Sequence, residues 1–298
     1  MRTVFGSKQP PLRAAVLVTD QQLQLAVIAE ANTAQPKICG WFDYGFASTS
    51  EYEQVLQQLK HQLRQHHWHR LPYYGLLANS DYQLVITDIP DVPATEINSA
   101  LRWQLQDLVT LDLEQAVIQS FLQADGKKLY GVVAPKSVVQ RQVNVAKTLN
   151  LPLVAIDIPE LSYRNYIATC IHSEQSVALA LLQQNLGTLL IYQQGNLYFS
   201  RRFTINYASP AAPLPEDELI LELQRSLDYY ERQMGQVPPV SMVFSGWIND
   251  SQLSVTIRES FQQSLSPLAV TITPTVNQDI SVETASALMG CCLRQEAA

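Results

Sequence analysis

Two rhythms of apolar positions alternate along this chain. Short apolar runs broken by polar turns predict strands, and stretches with apolar residues every three or four positions predict helices. Residues 14–29 hold two such runs around a polar turn, and a third runs from Trp41 to Gly45. From Ser50 to His66 the apolar positions Tyr52, Val55, Leu56, Leu59 and Leu63 recur at helical spacing, with Ser48 to Ser50 offering an N-cap.

A second unit begins at Tyr73. YYGLLAN and YQLVITDIP predict strands, the second ended by Pro90. DVPATEINSALRWQLQDLV predicts a helix starting near Thr95, with Ile97, Ala100, Leu101, Leu105 and Leu108 as its apolar stripe. Two more strands, a helix from Lys136 to Leu149 and the strand LPLVAIDIP follow, the last leading into another helix. From Ser176 three further strands are joined by turns at Asn185–Gly187 and Gly195–Asn196, repeating the order seen at residues 14–45. A helix closed by Gly235, the strand VSMVFSG, a helix over SQLSVTIRESFQQSL, the strand LAVTITP and a final helix from Val282 to Arg294 complete the chain. Two halves that each open on a β-meander predict an α/β architecture of the actin-like, duplicated ribonuclease H-like type. The expected division places 1–72, 151–175 and the helix 282–294 in the first half, an inserted small subdomain at 73–150, and the second half at 176–281.

Composition narrows the function classes. The 298 residues are 47% hydrophobic and 16% charged, as in folded globular proteins, with a net charge of −7. That balance offers no general attraction for nucleic acid or anionic lipid. No window approaches the roughly 18 uninterrupted apolar residues of a membrane span, and the start MRTVFGSKQPPLRAA lacks the apolar core of a signal peptide. A cytoplasmic location without direct membrane insertion is expected. Cys39, Cys170, Cys291 and Cys292 form no CxxC pair, so reduced, mostly buried thiols are expected.

Several stretches resemble the PilM family of type IV pilus assembly proteins, and most closely its MshI branch from mannose-sensitive (MSHA-type) pilus systems. They are YQLVITDIPDVPATEINSALRWQLQDLV, LPLVAIDIPELSYRN, GTLLIYQQGNLYFSRRF, ELILELQRSLDYYERQ and SALMGCCLR, in the family's order; the helix ending in RSLDYY after FSRRF is the most specific combination. The resemblance implies an actin-like fold with a PilM-type small subdomain. It also implies binding of the short cytosolic N-terminal segment of a PilN-like inner-membrane protein, in the groove beside that subdomain.

An actin-like ATPase needs two phosphate loops in which an Asp positions Mg²⁺ or water and glycines bring backbone N–H groups to the phosphates. Set against the family's first loop, the Asp position falls on Leu17, the Gly on Thr19 and the Lys on Gln24, with Asp20 out of register. In the second, Leu182 takes the Asp or Asn position and Gln184 the Gly; Gly246–Trp247 stands where the adenosine loop has a Gly–Gly pair. Glu222 and Arg225 lie one helical turn apart where related folds hold the nucleoside, and read most simply as a solvated ion pair. With 11 glycines in all, the chain is poor in the residue that phosphate cradles require. No cofactor is expected, and ATP with Mg²⁺ is disfavoured.

Other features carry plainer readings. His61, His66, His67 and His69, with Trp68 and Arg70, form the polar end of a helix rather than a metal site. Arg201–Arg202, weighed with Arg164 as a basic patch, read as an exposed pair at a strand end. Tyr229–Tyr230 read as packing residues, and Trp103 is the aromatic candidate for a peptide groove. No residue can be nominated as the carboxylate base of a sugar-kinase-like enzyme on this fold. The expected role is a non-enzymatic scaffold. It would sit beneath the inner membrane, bound to a PilN-like protein and other platform components. A nucleotide-regulated ATPase of the same machinery is the alternative.

Overall fold

The computed structural model describes residues 12–31, 33, 35–171, 175–209, 211–247, 253–273, 276 and 280–294. The chain opens with β1 (Arg13–Val18), β2 (Gln22–Ala29), β3 (Lys37–Gly45), α1 (Thr49–Gln65) and β4 (Tyr73–Leu76). Next come β5 (Gln83–Asp88), α2 (Ile97–Leu105), β6 (Ala116–Leu122), β7 (Lys128–Pro135) and α3 (Lys136–Leu149). β8 (Leu153–Asp157) and α4 (Pro159–Cys170) lead to β9 (Val177–Gln183), β10 (Leu186–Gln193) and β11 (Asn196–Thr204). α5 (Glu216–Asp228), β12 (Ser241–Gly246), α6 (Val255–Glu259), β13 (Ser264–Pro267) and α7 (Val282–Cys292) complete it.

Two five-stranded sheets follow one plan. In β3-β2-β1-β4-β8 an antiparallel meander is extended by two parallel strands, and β11-β10-β9-β12-β13 repeats this order. Their meander strands are apolar on both faces because each sheet is covered twice. One face of the first sheet packs on α1 and α3 through Val16, Leu25, Leu59 and Val145; the outer face of the second packs on α5 and α6 through Leu189, Leu219 and Ile257. The facing sides share one core, in which Ile28 and Leu190 meet Leu288 and Met289 of α7. α4 and α7 cross closely there. A Cβ on Gly290 would lie 1.9 Å from the Ser162 carbonyl oxygen, so only glycine admits that approach.

Local signals agree with these elements at several ends. Ser48 caps α1 by accepting the Glu51 N–H, and Gly235 takes φ +65° just after the α5 segment. α5 is α-helical only to Asp228 and closes in a π turn over Tyr229–Gln233.

Several expectations need correction. Tyr73–Leu76, placed at the start of the inserted subdomain, pairs with β1 and β8 inside the first sheet, and α3 packs on that sheet too. The separate unit is the sheet β5-β7-β6 with α2 on one face. The helix expected over SQLSVTIRESFQQSL is only Val255–Glu259 within its described part, and after Ser260 the chain straightens to lay β13 beside β12. The strand expected at LAVTITP therefore falls earlier, and of that run only Ile272 forms a bridge, to Ile38. α2 stops at Leu105, leaving Leu108 exposed. Cys291 and Cys292 are buried, whereas Cys39 is half-buried and Cys170 exposed; all four are free thiols.

Candidate functional site

In the first phosphate-loop position the chain has closed on itself. Leu17 is partly buried against the central core. The Thr19 hydroxyl accepts from the backbone N–H groups of Gln22 (3.0 Å) and Gln21 (3.3 Å), and the Thr19 N–H donates to the Gln22 carbonyl at 2.9 Å. A side-chain turn thus engages both of these backbone donors. Gln24 is buried and donates to Asp43 at 2.8 Å, tying it to β3. Asp20 points to α3, 3.0 Å from Arg141.

The second position is blocked differently. Leu182 is buried, and its carbonyl accepts the Trp247 N–H at 2.7 Å. Gly246 has φ +88°, and a Cβ there would stand 2.1 Å from the Leu182 carbonyl oxygen, so the glycine serves this close approach. Trp247 meets Tyr207 edge to face at 5.6 Å within the second half's packing. Gln184 is exposed in the turn. Its neighbour Gln183 does the bonding: it accepts from Asn79 at 3.1 Å and donates to the Glu283 carboxylate. Burial pushes the Glu283 carboxyl up to about 7, against the opposing pull of the Gln183 hydrogen bond.

Asn79 belongs to the loop between β4 and β5, which crosses from one half to the other as a polar clasp. Arg141 binds Asp81 at 2.6 Å as well as Asp20. Arg202 of β11 donates to the Asn79 carbonyl (2.8 Å) and the Tyr82 hydroxyl (2.6 Å), and pairs with Glu160 of α4 at 3.0 Å. The guanidinium also lies over the Tyr82 ring, 5.0 Å from its centroid. Tyr82 donates to the other Glu160 oxygen, and Glu160 itself is 2% exposed. Burial opposes the Arg202 charge, but the Tyr82 and Glu160 oxygens outweigh it and raise the guanidinium above its ordinary value. Arg202 is therefore an inward, mid-strand residue and not half of an exposed strand-end pair. Sequence reasoning missed it because its partners lie 42 to 123 positions away.

Glu222 and Arg225 are also more than a solvated pair. Glu222 is largely buried and takes Arg225 at 2.6 Å and Arg201 at 2.7 Å, while Arg201 also holds the Ser226 hydroxyl at 2.6 Å. Burial alone would raise the Glu222 carboxyl, yet hydrogen bonds from the two arginines bring it below its ordinary value. Arg201 and Arg225 line a groove and not the clasped cleft.

That groove, about 770 Å³, separates the subdomain sheet from β11 and α5. Because α2 covers only one face of β5-β7-β6, the other presents Leu84, Ile86 and Tyr130 to the groove. The hairpin between β6 and β7 is anchored across it: the Ala124 N–H donates to the Leu197 carbonyl at 3.0 Å, while Gln123 and the Tyr130 hydroxyl donate to the Tyr198 carbonyl at 2.7 and 2.8 Å. Ile86 is 39% exposed and Tyr229 of the π turn 53%, on opposite walls. Trp103 is not among the lining residues. It lies about 200° round α2 from Leu101 and from Leu105, which face the sheet, and is 76% exposed.

His66 stacks on Trp68 at 4.6 Å, and among the described residues no group of three metal-ligating side chains converges. No helix of the described residues is long and apolar enough to cross a membrane.

No family model and no curated protein sequence matches the chain. Solved structures do. A PilM–PilN type IV pilus biogenesis complex superposes with a TM-score of 0.68 at 15% identity, covering 94% of this chain and 97% of that one. A Bacteroides thetaiotaomicron VPI-5482 protein with an actin-like ATPase fold and unknown function gives 0.54 at 9% identity, covering 96% and 99%. The cytoplasmic domain of EpsL, an inner-membrane component of the Vibrio cholerae type II secretion system, gives 0.53 at 12%, covering 93% and 94%. At such identities the likeness defines the fold: this is an actin-like α/β protein, the class its duplicated sheets had outlined.

Proposed function

We propose that the protein is a non-enzymatic cytoplasmic scaffold of a type IV pilus assembly platform, of the MSHA type, held at the inner membrane by a PilN-like partner. The observation that carries this reading is the end-to-end likeness to the PilM–PilN structure together with an open groove beside the subdomain. An extended segment laid in that groove meets β11, the edge strand of its sheet, along Phe199–Arg201. Main-chain hydrogen bonds there supply affinity, Ile86 and Tyr229 receive apolar side chains, and Arg225 selects a carboxylate or amide. The self-bonded phosphate loops support a role that needs no ATP.

The test is an anisotropy titration of a labelled peptide carrying the cytosolic N-terminus of a PilN-like protein, without nucleotide. Micromolar binding is expected, weakened at least tenfold, about 1.4 kcal/mol, by Ile86→Asp. No binding at high micromolar peptide would sink the reading, and binding that requires Mg-ATP would favour the nucleotide-regulated ATPase.

A further inference from the structure

A second cavity, about 810 Å³, opens at the other end of β1 from the phosphate-loop turn. Its walls come from the start of β1, the last turns of α4, the β10–β11 turn and the end of α7. Arg13, Arg164 and Arg294 all line it, and its described lining residues include no carboxylate.

Among the described residues one carboxylate lies close to these arginines. Asp157, at the end of β8, is 3% exposed and lies 3.4 Å from Arg294. Arg164 makes no ion pair among the described residues; its Nε and Nη2 both donate to the one Asn165 side-chain oxygen, at 3.2 and 2.9 Å. Burial lowers the Arg164 guanidinium from its ordinary value, and only afterwards does the Asp157 charge raise it. Asn165 is itself fixed by donating to the Gly290 carbonyl at 3.1 Å, so Arg164 is held in place at the cavity wall. Guanidinium forks match the paired oxygens of carboxylates and phosphates alike, and three of them around one cavity suit the higher charge of a phosphate-bearing anion.

We propose that this cavity is a binding site for a phosphate-bearing anion, either a free phosphorylated small molecule or the headgroup of an anionic lipid. The volume accepts more than a single phosphate, and an anion entering it gives Arg164 a direct ion-pair partner.

Two probes separate the sources: inorganic pyrophosphate followed by calorimetry at low salt, and phosphatidylglycerol–phosphatidylcholine vesicles followed by flotation. Saturable pyrophosphate binding that falls at least tenfold in Arg164→Gln and in Arg294→Gln assigns the free-ligand site. Vesicle binding lost in the same variants, with no pyrophosphate heat, assigns the headgroup site. Arg164→Gln should lower the melting temperature only slightly in the absence of ligand, since it removes the Asn165 contacts and a favourable charge near Asp157 but no ion pair among the described residues. The proposal is overturned if neither probe binds, or if binding survives both substitutions. It is also overturned if Arg164→Gln unfolds the protein while a folded Arg294→Gln binds both probes like wild type.

Discussion

The clasped cleft and the subdomain groove are both lined by arginines and tyrosines, and they use them in opposite ways. In the cleft Arg202 is spent on Glu160, Tyr82 and Asn79, Thr19 on its own turn, and the Leu182 carbonyl on Trp247. In the groove Arg225 is fixed only on its inner side by Glu222, and Ile86 and Tyr229 remain half in water. Polar groups paired with one another hold two elements together, whereas exposed apolar walls beside an edge strand offer a surface to a partner. The comparison teaches that the same residue types become structure where partners from both halves reach them and stay available where only one wall does.

Breaking the clasp should give the largest effect. Arg202→Ala leaves the Glu160 charge buried without its partner, which costs about 3–5 kcal/mol; thermal unfolding should show a fall in Tm of about 10 °C. An unchanged Tm would mean that the clasp does not hold the halves together. Glu283→Gln sharpens the same comparison through pH. The raised carboxyl binds its proton more tightly in the folded state, so its contribution to stability is present below the unfolded value of about 4.5 and is lost as pH rises toward about 7. The substitution should flatten the stability profile between those values, and because Glu283 is partly solvated the gain at pH 8 should be on the order of 1 kcal/mol. A profile as steep as wild type would exclude Glu283 as the source. Smallest is Trp103→Ala, expected to alter stability by less than about 0.5 kcal/mol and to leave peptide binding within twofold; a large loss in the anisotropy titration would return Trp103 to the groove.

The fold was legible in the chain to a considerable depth. Apolar runs marked both meanders, and the stripe of Val55, Leu56, Leu59 and Leu63 marked α1, because such patterns are local. β4 was misassigned for a physical reason: its Tyr-Tyr-Gly-Leu run looks like any short buried strand, and only parallel pairing with β1 decides its sheet. That Leu17, Thr19, Leu182 and Gln184 carry neither a carboxylate nor a glycine was legible as residue type; what these positions and their neighbours bond to was not. Arg202 looked like a surface charge because Tyr82 and Glu160 reach it only through tertiary packing. Trp103 looked like an anchor because a side chain's type does not reveal which side of a helix remains uncovered. Tyr229 was the better signal, as an aromatic at the end of a charged helix, but adjacency to Tyr230 gave both residues the same packing interpretation; the structure buries only Tyr230.

The most direct test sets the two regions side by side in one calorimeter, titrating the protein separately with Mg-ATP and with the PilN-like peptide. Saturable heat with the peptide in the absence of nucleotide, and none with Mg-ATP up to millimolar concentration, is the predicted result. Micromolar affinity for Mg-ATP, or peptide binding that appears only after nucleotide is added, would contradict the account at its centre.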